Sequence, residues 1–447
     1  MEEEKEINYS ERVKEFFKDN RVELYDKLKI IHRNGQVIKG VLLPRPDIGD
    51  PDVLILKLDN GYNIGIHLDN IVSVKVLGHL EAAPLVKIRK TYKVRKKSLV
   101  YFLGTGGTIA SRIDYKTGAV YPFFTAEEIY SMFPELEDIA FIKAESLFSI
   151  FSEDMKPSYW SIIAEKVADI FKKEEPKGVV IAHGTDTMGF TAAAMAFALR
   201  RLPGPVILVG AQRSSDRPST DAAFNVIAAT ITALDAPFGE SVVVMHGSTS
   251  DSYCYVHRGV KVRKCHTSRR DAFRSINDIP LARIDYPNSF ILLNERYLAR
   301  SKEGIILENK FDPKVFLLKF YPGMPGEYLD LLIDKGVHGI VLEGTGLGHV
   351  SENLLKPLKR AYDEKIPVVM TSQCIWGRIN MNVYRRGREL LKVGVISGED
   401  MVPETALVKL SWLLGKNLDY KEIREAIHAN IVNEINPRSE HRSYPSL

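Results

Sequence analysis

The sequence predicts an α/β protein in which two domains with parallel sheets follow a small β-barrel. Between about residues 22 and 78, short β-rich runs are separated by the hairpin dipeptides Asn34-Gly35 and Asn60-Gly61. After residue 98 short apolar runs alternate with helical patterns, and a second, shorter alternation begins near residue 312. Such repetition of strand, loop and helix is typical of a parallel sheet covered by helices on both faces.

The same changes of pattern give the domain boundaries. Residues 8–18 predict an amphipathic helix with Val13, Phe16 and Phe17 on one side. The β-rich runs that follow are short enough to predict a barrel of the SH3 or Sm kind. The predicted segments are an N-terminal helix (1–21), a small β-barrel domain with a basic linker (22–97), a first α/β domain (98–285), a connector (286–311) and a second α/β domain (312–447).

Composition excludes several classes of protein. The 447 residues carry a net charge of +4 and three cysteines without a CxxC pair, which argues against a disulfide framework or a zinc site. The histidines show no metal-ligand spacing, so no metal is expected. The acidic N-terminus lacks the apolar stretch of a signal peptide, and no apolar run approaches the length of about 18 residues typical of a membrane span. We therefore expect a cytoplasmic protein without a membrane partner.

A strongly basic strip precedes the first α/β domain. Residues 87–97, KIRKTYKVRKK, contain seven lysines or arginines. The favoured interpretation is a linker kept soluble by its charge. The alternative is a strip that contacts phosphates, with Tyr92 interleaved among the cations.

The loop after the first predicted strand of the α/β region contains both glycines and hydroxyls. Ligands of open α/β sheets bind beyond the carboxyl ends of the strands, where this loop, Gly104–Thr108, is expected to lie. A phosphate loop would need a lysine here, and a dinucleotide loop would need a glycine in place of Ile109. What remains is a glycine turn that presents Thr108 either as a nucleophile or as a helix cap, with Thr105 as part of the turn.

A second strand-end loop, HGTDT, places a hydroxyl beside a carboxylate. Thr185 and Asp186 are adjacent in it, and Asp186 could bind a substrate ammonium or cap the following helix. His183 is interpreted as a hydrogen-bonded core residue rather than as a base.

Taken together, GTGGTIA and HGTDTM resemble the two signature motifs of the bacterial-type L-asparaginases. Both motifs occur in order, about 75 residues apart, and the resemblance runs from residue 98 to the end. It implies two asparaginase-like α/β domains and hydrolysis of a side-chain amide through a threonyl acyl-enzyme. The resemblance also implies site residues: Thr108 as nucleophile, Tyr121 as its assisting flap residue, Ser152 for the substrate α-carboxylate, Thr185 as second threonine, Asp186 for the substrate ammonium, and Lys264 as the basic partner of Thr185 and Asp186.

Several points stay open within this resemblance. Which threonine attacks first is not decided by the sequence, and Lys264 could instead be one more surface residue of a basic run. Two positions also depart from the family. Its cross-subunit asparagine falls at His349, and Tyr384 aligns near its cross-subunit glutamate.

The 95 or so residues ahead of the asparaginase-like part have no counterpart in simple asparaginases. A small β-domain fused ahead of such a pair of domains is similar to the D-type subunit of the archaeal glutamyl-tRNA(Gln) amidotransferases, as is the ending NEINPRSEHR. The resemblance implies a glutaminase without a cofactor of its own, active as a homodimer. It would supply ammonia to the E-type partner, a kinase subunit that uses ATP and magnesium to convert Glu-tRNA(Gln) to Gln-tRNA(Gln). The alternatives are a stand-alone cytoplasmic L-asparaginase and a catalytically inactive RNA-binding module.

Overall fold

A computed structural model describes most of the chain: residues 9–45, 49–58, 63–79, 97–107, 111–113, 120–122, 125–213, 220–285 and 288–444. The side chains of 111–113 and 120–122 are not among those described. The Asn60-Gly61 turn and residues 87–96 of the basic strip lie outside this part of the chain. Contacts divide the chain into a first unit (1–96, 111–122 and 214–220) and a second unit (97–110, 123–213 and 221–447).

The strands are β1 (Asp26–His32), β2 (Val37–Leu43), β3 (Val53–Leu58), β4 (Asn63–His67), β5 (Ile71–His79), β6 (Leu99–Gly104), β7 (Ser111–Ile113), β8 (Val120–Pro122), β9 (Phe141–Ser146), β10 (Val179–Ala182), β11 (Leu199–Arg200), β12 (Val206–Val209), β13 (Ser241–His246), β14 (Tyr253–Arg258), β15 (Val262–Lys264), β16 (Phe273–Ser275), β17 (Ala282–Asp285), β18 (Ser289–Leu292), β19 (Ile306–Leu307), β20 (Val315–Lys319), β21 (Gly339–Gly344), β22 (Val368–Ser372) and β23 (Ile396–Ser397). The helices are α1 (Glu11–Asn20), α2 (Ala126–Met132), α3 (Leu136–Ile139), α4 (Pro157–Glu174), α5 (Met188–Ala198), α6 (Ala222–Asp235), α7 (Glu327–Asp334), α8 (Leu355–Asp363), α9 (Arg385–Lys392), α10 (Pro403–Gly415) and α11 (Tyr420–His428).

In the first unit, α1 covers one face of a small antiparallel sheet. The helix begins where the Ser10 hydroxyl accepts a hydrogen bond from the Val13 amide at 3.2 Å. Its apolar side, Val13 and Phe17, is buried against Leu28 and Ile30 of β1. The strand order is β4-β3-β2-β1-β5, with every neighbouring pair antiparallel. The predicted small β-domain is confirmed; the described residues include no β4–β5 ladder that would close the sheet into a hydrogen-bonded barrel.

The second unit contains an eight-stranded sheet of order β18-β17-β14-β13-β12-β10-β6-β9. The five strands from β13 to β9 are parallel, as predicted. β14, β17 and β18 are antiparallel, so the sheet is mixed, and these three strands extend the parallel part that the sequence predicts. The sequence pattern does not indicate β14 and β17, because polar residues interrupt their apolar runs. β18 lies within the predicted connector 286–311 and extends the sheet, while β19 pairs with β11.

The C-terminal half of the second unit has its own four-stranded parallel sheet, β20-β21-β22-β23. This half shares a core with the half before it. The Phe197 ring in α5 stacks on the Trp412 ring in α10, with centroids 5.5 Å apart, and both side chains are buried. The parts of the predicted segments 98–285 and 312–447 that belong to the second unit thus share one core.

A buried polar cluster joins the two halves beside the β15–β16 hairpin. Lys261 Nζ lies 2.8 Å from Asp400 Oδ2, and Asn436 Nδ2 donates to the same carboxylate at 2.9 Å. Asn277 donates through Nδ2 to the Asp400 carbonyl oxygen, also at 2.9 Å. Burial lowers the pKa of Lys261, and the Asp400 charge opposes that shift. Since Lys261 precedes β15 directly, the cluster fixes the start of the strand that ends at Lys264.

Candidate active site

The site is built where parallel strands end side by side. Ala182, the last residue of β10, is paired with Gly104 of β6 on one side and Val209 of β12 on the other. The loops that follow these strands therefore lie next to each other. This is the edge of an open α/β sheet at which ligands bind.

The glycines of the first loop permit an unusually close approach of backbones. Gly107 has φ +89°, and a Cβ there would lie 2.6 Å from the amide nitrogen of Gly184 in the neighbouring loop. Gly106 has φ +115°, and a Cβ there would overlap the Ile150 carbonyl oxygen. Only glycine fits at either position, so the turn that leads into Thr108 is specified by sterics. Thr108 itself lies outside the described residues.

Thr105 differs in role from the threonine three residues later. Its side chain is buried, and its hydroxyl donates to the Ala182 carbonyl oxygen at 2.9 Å. The Thr105 amide donates to the same oxygen at 3.0 Å. Thr105 thus fastens the loop to β10, in agreement with its interpretation as part of the turn.

Three of the expected site residues form one hydrogen-bonded group. Lys264 Nζ lies 2.8 Å from Thr185 Oγ1 and 2.8 Å from Asp186 Oδ1. The Lys264 side chain is only 14% exposed, whereas that of Asp186 is 68% exposed. Thr185 and Asp186 are 79 and 78 positions away from Lys264 in the chain, so these contacts are made by the tertiary fold. The Asp186 carboxylate, in contrast, remains accessible to a ligand.

Ser152 is held beside the HGTDT loop by its backbone and its packing. It is buried in a short 3₁₀ turn, and a Cβ at Gly184 would lie 2.7 Å from the Ser152 Cβ. Thr187 Oγ1 donates to the Ser152 carbonyl oxygen at 2.6 Å. Thr187 is the N-cap of α5, but its hydroxyl caps no amide of that helix. No sequence pattern indicates this bond, because the two residues are 35 positions apart.

His183 lies directly beneath the site and is a structural residue, as interpreted from the sequence. Its Nδ1 is 2.6 Å from the Gly184 carbonyl oxygen, and its Nε2 is 2.9 Å from Thr191 Oγ1, which also accepts from Trp160 Nε1. Since a carbonyl only accepts, the proton is on Nδ1, and Nε2 accepts from Thr191. Burial lowers the pKa of His183 to about 4. The imidazole is therefore neutral at pH 7.

This neutral histidine predicts sensitivity to acid. Because its folded pKa lies below the ordinary value of about 6.5, the unfolded chain binds the proton more readily, and stability falls as pH drops from about 6.5 towards 4. We expect the difference in unfolding free energy between pH 7 and 4.5 to be about 2 kcal/mol smaller in His183→Gln than in the parent chain. Denaturant unfolding at both pH values measures it, and equal acid sensitivity of the two proteins would contradict the assignment.

For the remaining expected positions, Tyr121, His349 and Tyr384, the described residues show no contact with the Lys264–Thr185–Asp186 group. Tyr121 lies in β8, where its backbone pairs with Arg112, and its side chain is not described. His349 and Tyr384 pack together in the C-terminal half, with ring centroids 5.6 Å apart, and Tyr384 is 60% exposed. No contact of the described residues links this pair to Lys264.

Within the described residues, one group of side chains has the spacing to hold a metal ion, Asp50, Asp52 and His67 in the first unit. Its Asp52 carboxylate already accepts from Ser10 and lies 3.6 Å from Arg12. Among the described helices, none is both long and apolar enough to span a membrane.

Comparison with known proteins decides the family. A model described as GatD N-terminal domain matches residues 22–77, and models of the asparaginase N-terminal and the glutaminase/asparaginase C-terminal domain match 99–296 and 314–427. The D-type subunit of the glutamyl-tRNA(Gln) amidotransferase of Thermofilum pendens is 53% identical over 98% of both chains. That of Pyrococcus furiosus is 52% identical, over 95% of this chain and 98% of its own. The chain belongs to the D-type subunit family of the glutamyl-tRNA(Gln) amidotransferases. Membership makes it the amidohydrolase component of a tRNA-dependent amidotransferase.

Solved asparaginases match about three quarters of this D-type chain. The thermostable L-asparaginase of Thermococcus kodakarensis aligns with a TM-score of 0.69 and 31% identity, over all of its own chain but 76% of this one. The L-asparaginase I of Vibrio cholerae aligns with a TM-score of 0.67 and 29% identity, over 99% of its own chain and 76% of this one. The asparaginase-like fold expected from the two motifs is confirmed. The small β-domain, which the GatD N-terminal domain model matches, is the part of this chain that lies outside the asparaginase domains.

Proposed function

We propose that this chain hydrolyses glutamine through a threonine nucleophile and supplies the ammonia to a partner subunit. The observation that carries the proposal is the Lys264–Thr185–Asp186 group at the strand ends, with Asp186 still accessible. An amine hydrogen-bonded to both a hydroxyl and a carboxylate, as Lys264 is here, is an arrangement through which acyl transfer can move a proton. Asp186 would bind the substrate ammonium, and Ser152 with Thr185 would position the α-carboxylate end.

The proposed reaction has two halves. A threonine Oγ attacks the amide carbon while its proton passes to a base, and the carbonyl electron pair becomes an oxyanion held by backbone amides. The C–N bond then breaks, and the nitrogen takes up a proton and leaves as ammonia. Water hydrolyses the threonyl ester to give glutamate and the free threonine.

Two threonines fit this description, and each has a different helper. Thr108 follows the glycine turn of Gly106 and Gly107 in the sequence, and Tyr121 would accept the proton of its hydroxyl. Thr185 already contacts Lys264, which would accept the proton when its amine is neutral. The order of attack therefore stays open in the proposal.

The partner is proposed from the family and from the chemistry. A site of this kind releases ammonia but offers no means of activating a carboxylate with ATP. We propose that the E-type kinase subunit, with ATP and magnesium, phosphorylates and amidates glutamate on tRNA(Gln), and that this chain needs no cofactor of its own. The proposal includes a homodimer and a cytoplasmic location, the latter because charged tRNA is used there.

The test compares glutamine with asparagine, each with and without the kinase subunit and Glu-tRNA(Gln). We expect ammonia release from glutamine to rise when the partner and the charged tRNA are added. Rapid hydrolysis of asparagine that is independent of both would instead support a stand-alone L-asparaginase, the alternative favoured by the 31% identity to a solved asparaginase.

Thr187 gives a prediction about substrate positioning. In Thr187→Val the side chain keeps its shape but loses the 2.6 Å bond to the Ser152 carbonyl. A neutral hydrogen bond contributes about 1 kcal/mol, so we expect KM for glutamine to rise roughly five- to tenfold with a smaller change in kcat. Steady-state kinetics measures both constants. Thr187→Ser keeps the hydroxyl and should restore KM; an unchanged KM in the valine variant would remove Thr187 from the site.

A further inference from the structure

The small β-domain has one sheet face whose charged strand residues are all positive. Its inward side chains, such as Leu28, Ile30 and Leu42, are buried against α1. Because side chains alternate along a strand, the residues between them point to the opposite, outer face. All lysines of the five strands occupy such outer positions, and we refer to them as the lysine face: Lys27, Lys29, Lys39, Lys57 and Lys75.

The strand register places three of these cations side by side. Lys29 of β1 is directly opposite Lys39 of β2 and, on its other side, Lys75 of β5. Directly opposite residues of antiparallel strands have Cβ atoms about 5 Å apart, and like charges at that spacing destabilise a sheet. Lys27 and Lys57 both pair with Val41 between them, in the next row.

None of the five strands carries an acidic residue on this outer face. Asp26 is their one carboxylate, and it faces inward, where it is buried and accepts from His79 and the Glu23 amide. Ion pairs of α1 and of the histidines occur in the described part of this domain. None of them reaches Lys29, Lys39 or Lys75. α1, over the inner face, carries three acidic and three basic residues, whereas the charged strand residues of the outer face are all lysines.

We propose that the lysine face binds the phosphate backbone of a folded RNA. The identity of that RNA as tRNA rests on the function proposed above. Phosphates spaced along a backbone would relieve the repulsion within the row of Lys29, Lys39 and Lys75, and contacts of this kind provide affinity without reading sequence. The five strands contain no Phe, Tyr or Trp, so the face offers no platform on which unpaired bases could stack.

The test measures binding of the full chain to a tRNA(Gln) transcript between about 50 and 300 mM salt, a range over which phosphate contacts are strongly salt-dependent. The variant Lys29→Gln/Lys39→Gln/Lys75→Gln removes three charges and keeps long polar side chains. Losing three phosphate contacts should weaken binding about a hundredfold at about 0.1 M salt and reduce the slope of log K against log salt by about 2 to 3. The variant should be at least as thermally stable as the parent, because the repulsion is removed.

The matched control is Lys14→Gln/Lys172→Gln/Lys173→Gln, which removes the same charge from α1 and α4. Parental affinity and slope in the control support the proposal. An equal loss in both triple variants, an unchanged lysine-face variant, or no tRNA binding by the parent at the lowest salt would overturn it. So would a lysine-face variant that keeps tRNA affinity but no longer associates with the kinase subunit, since the face would then bind protein.

Glutamine hydrolysis measured on the same preparations separates the two proposals. Hydrolysis that is intact in a variant with weakened tRNA binding supports both. A parent chain that binds tRNA through the lysine face but releases no ammonia from glutamine would refute the proposed function and leave the RNA-binding face standing.

Discussion

Replacing Lys264 by Met is expected to lower kcat for glutamine hydrolysis about a thousandfold while the protein stays folded. The amine is the only side-chain nitrogen that contacts both Thr185 and Asp186 within the described residues, and proton transfer by a positioned group contributes about 10²- to 10⁴-fold. Methionine fills a similar volume, so the loss would report the missing amine. Ammonia release measures the rate, and circular dichroism with thermal unfolding checks the fold.

Lys264→Arg then separates the two ways in which the lysine could act. A guanidinium keeps the positive charge beside Asp186 but does not give up its proton. If Lys264 acts as a base for Thr185, the arginine variant should be as inactive as the methionine variant. Recovery of most of the activity would contradict the proton-relay role and leave only an electrostatic one. The exposed Lys302, changed to Met, is the control and should leave kcat unchanged.

The second large effect is expected at the threonines. Thr108→Ala and Thr185→Ala should each reduce ammonia release from glutamine by about 10³-fold or more, because residues that act as one unit lose most of their effect when either is removed. The variant that retains the attacking threonine should accumulate a glutamyl ester, detectable by mass spectrometry of a rapidly quenched reaction. The site of the ester identifies the nucleophile.

Full activity of either alanine variant would remove that threonine from the mechanism. Unchanged ammonia release in both would favour the catalytically inactive RNA-binding module over any amidohydrolase. Thr105→Val is the matched control within the same glycine turn. Among the described residues its hydroxyl binds the Ala182 carbonyl alone, so we expect a loss of stability rather than of chemistry.

The sequence was informative about the site because its motifs fall at strand ends. Thr185 and Asp186 closely follow β10, and an apolar run before them is readable without a structure. Lys264 is harder to place, since it lies in a basic run that resembles a surface segment. Only the resemblance to the asparaginases pointed to it, and the two 2.8 Å contacts agree with that expectation.

Long-range polar contacts were beyond sequence reasoning for a physical reason. The chain Trp160–Thr191–His183 and the bond from Thr187 to Ser152 join residues whose types are common and whose spacing has no period. The ending NEINPR could be noticed only as a motif. In the structure, Asn436 from it binds Asp400, and Glu434 pairs with the buried Lys409 at 2.7 Å. Residues of the motif thus form buried polar contacts with the C-terminal half. No local sequence pattern could indicate these contacts.

The antiparallel strands β14, β17 and β18 show a different limit. Residues such as His257, Arg258 and Arg283 interrupt the apolar pattern of β14 and β17. Arg258 is buried nonetheless, because Glu240 at 2.5 Å and Asp278 at 3.3 Å neutralise it. A charged residue in a strand is predicted from the sequence to be exposed. The prediction fails here because the residues that neutralise Arg258 lie on other elements, which the local sequence does not show.

The most direct test of the central claim follows the amide nitrogen of glutamine. The complete complex with the kinase subunit, ATP, magnesium and Glu-tRNA(Gln) is given glutamine labelled with ¹⁵N in its amide, and the label is measured in the Gln-tRNA product. The parent should transfer the label, and Thr185→Ala should not, yet the variant should still form Gln-tRNA when ammonium chloride replaces glutamine. Labelled product from Thr185→Ala at the parental rate, or a variant complex that ammonium cannot rescue, would contradict the claim that this site supplies the ammonia.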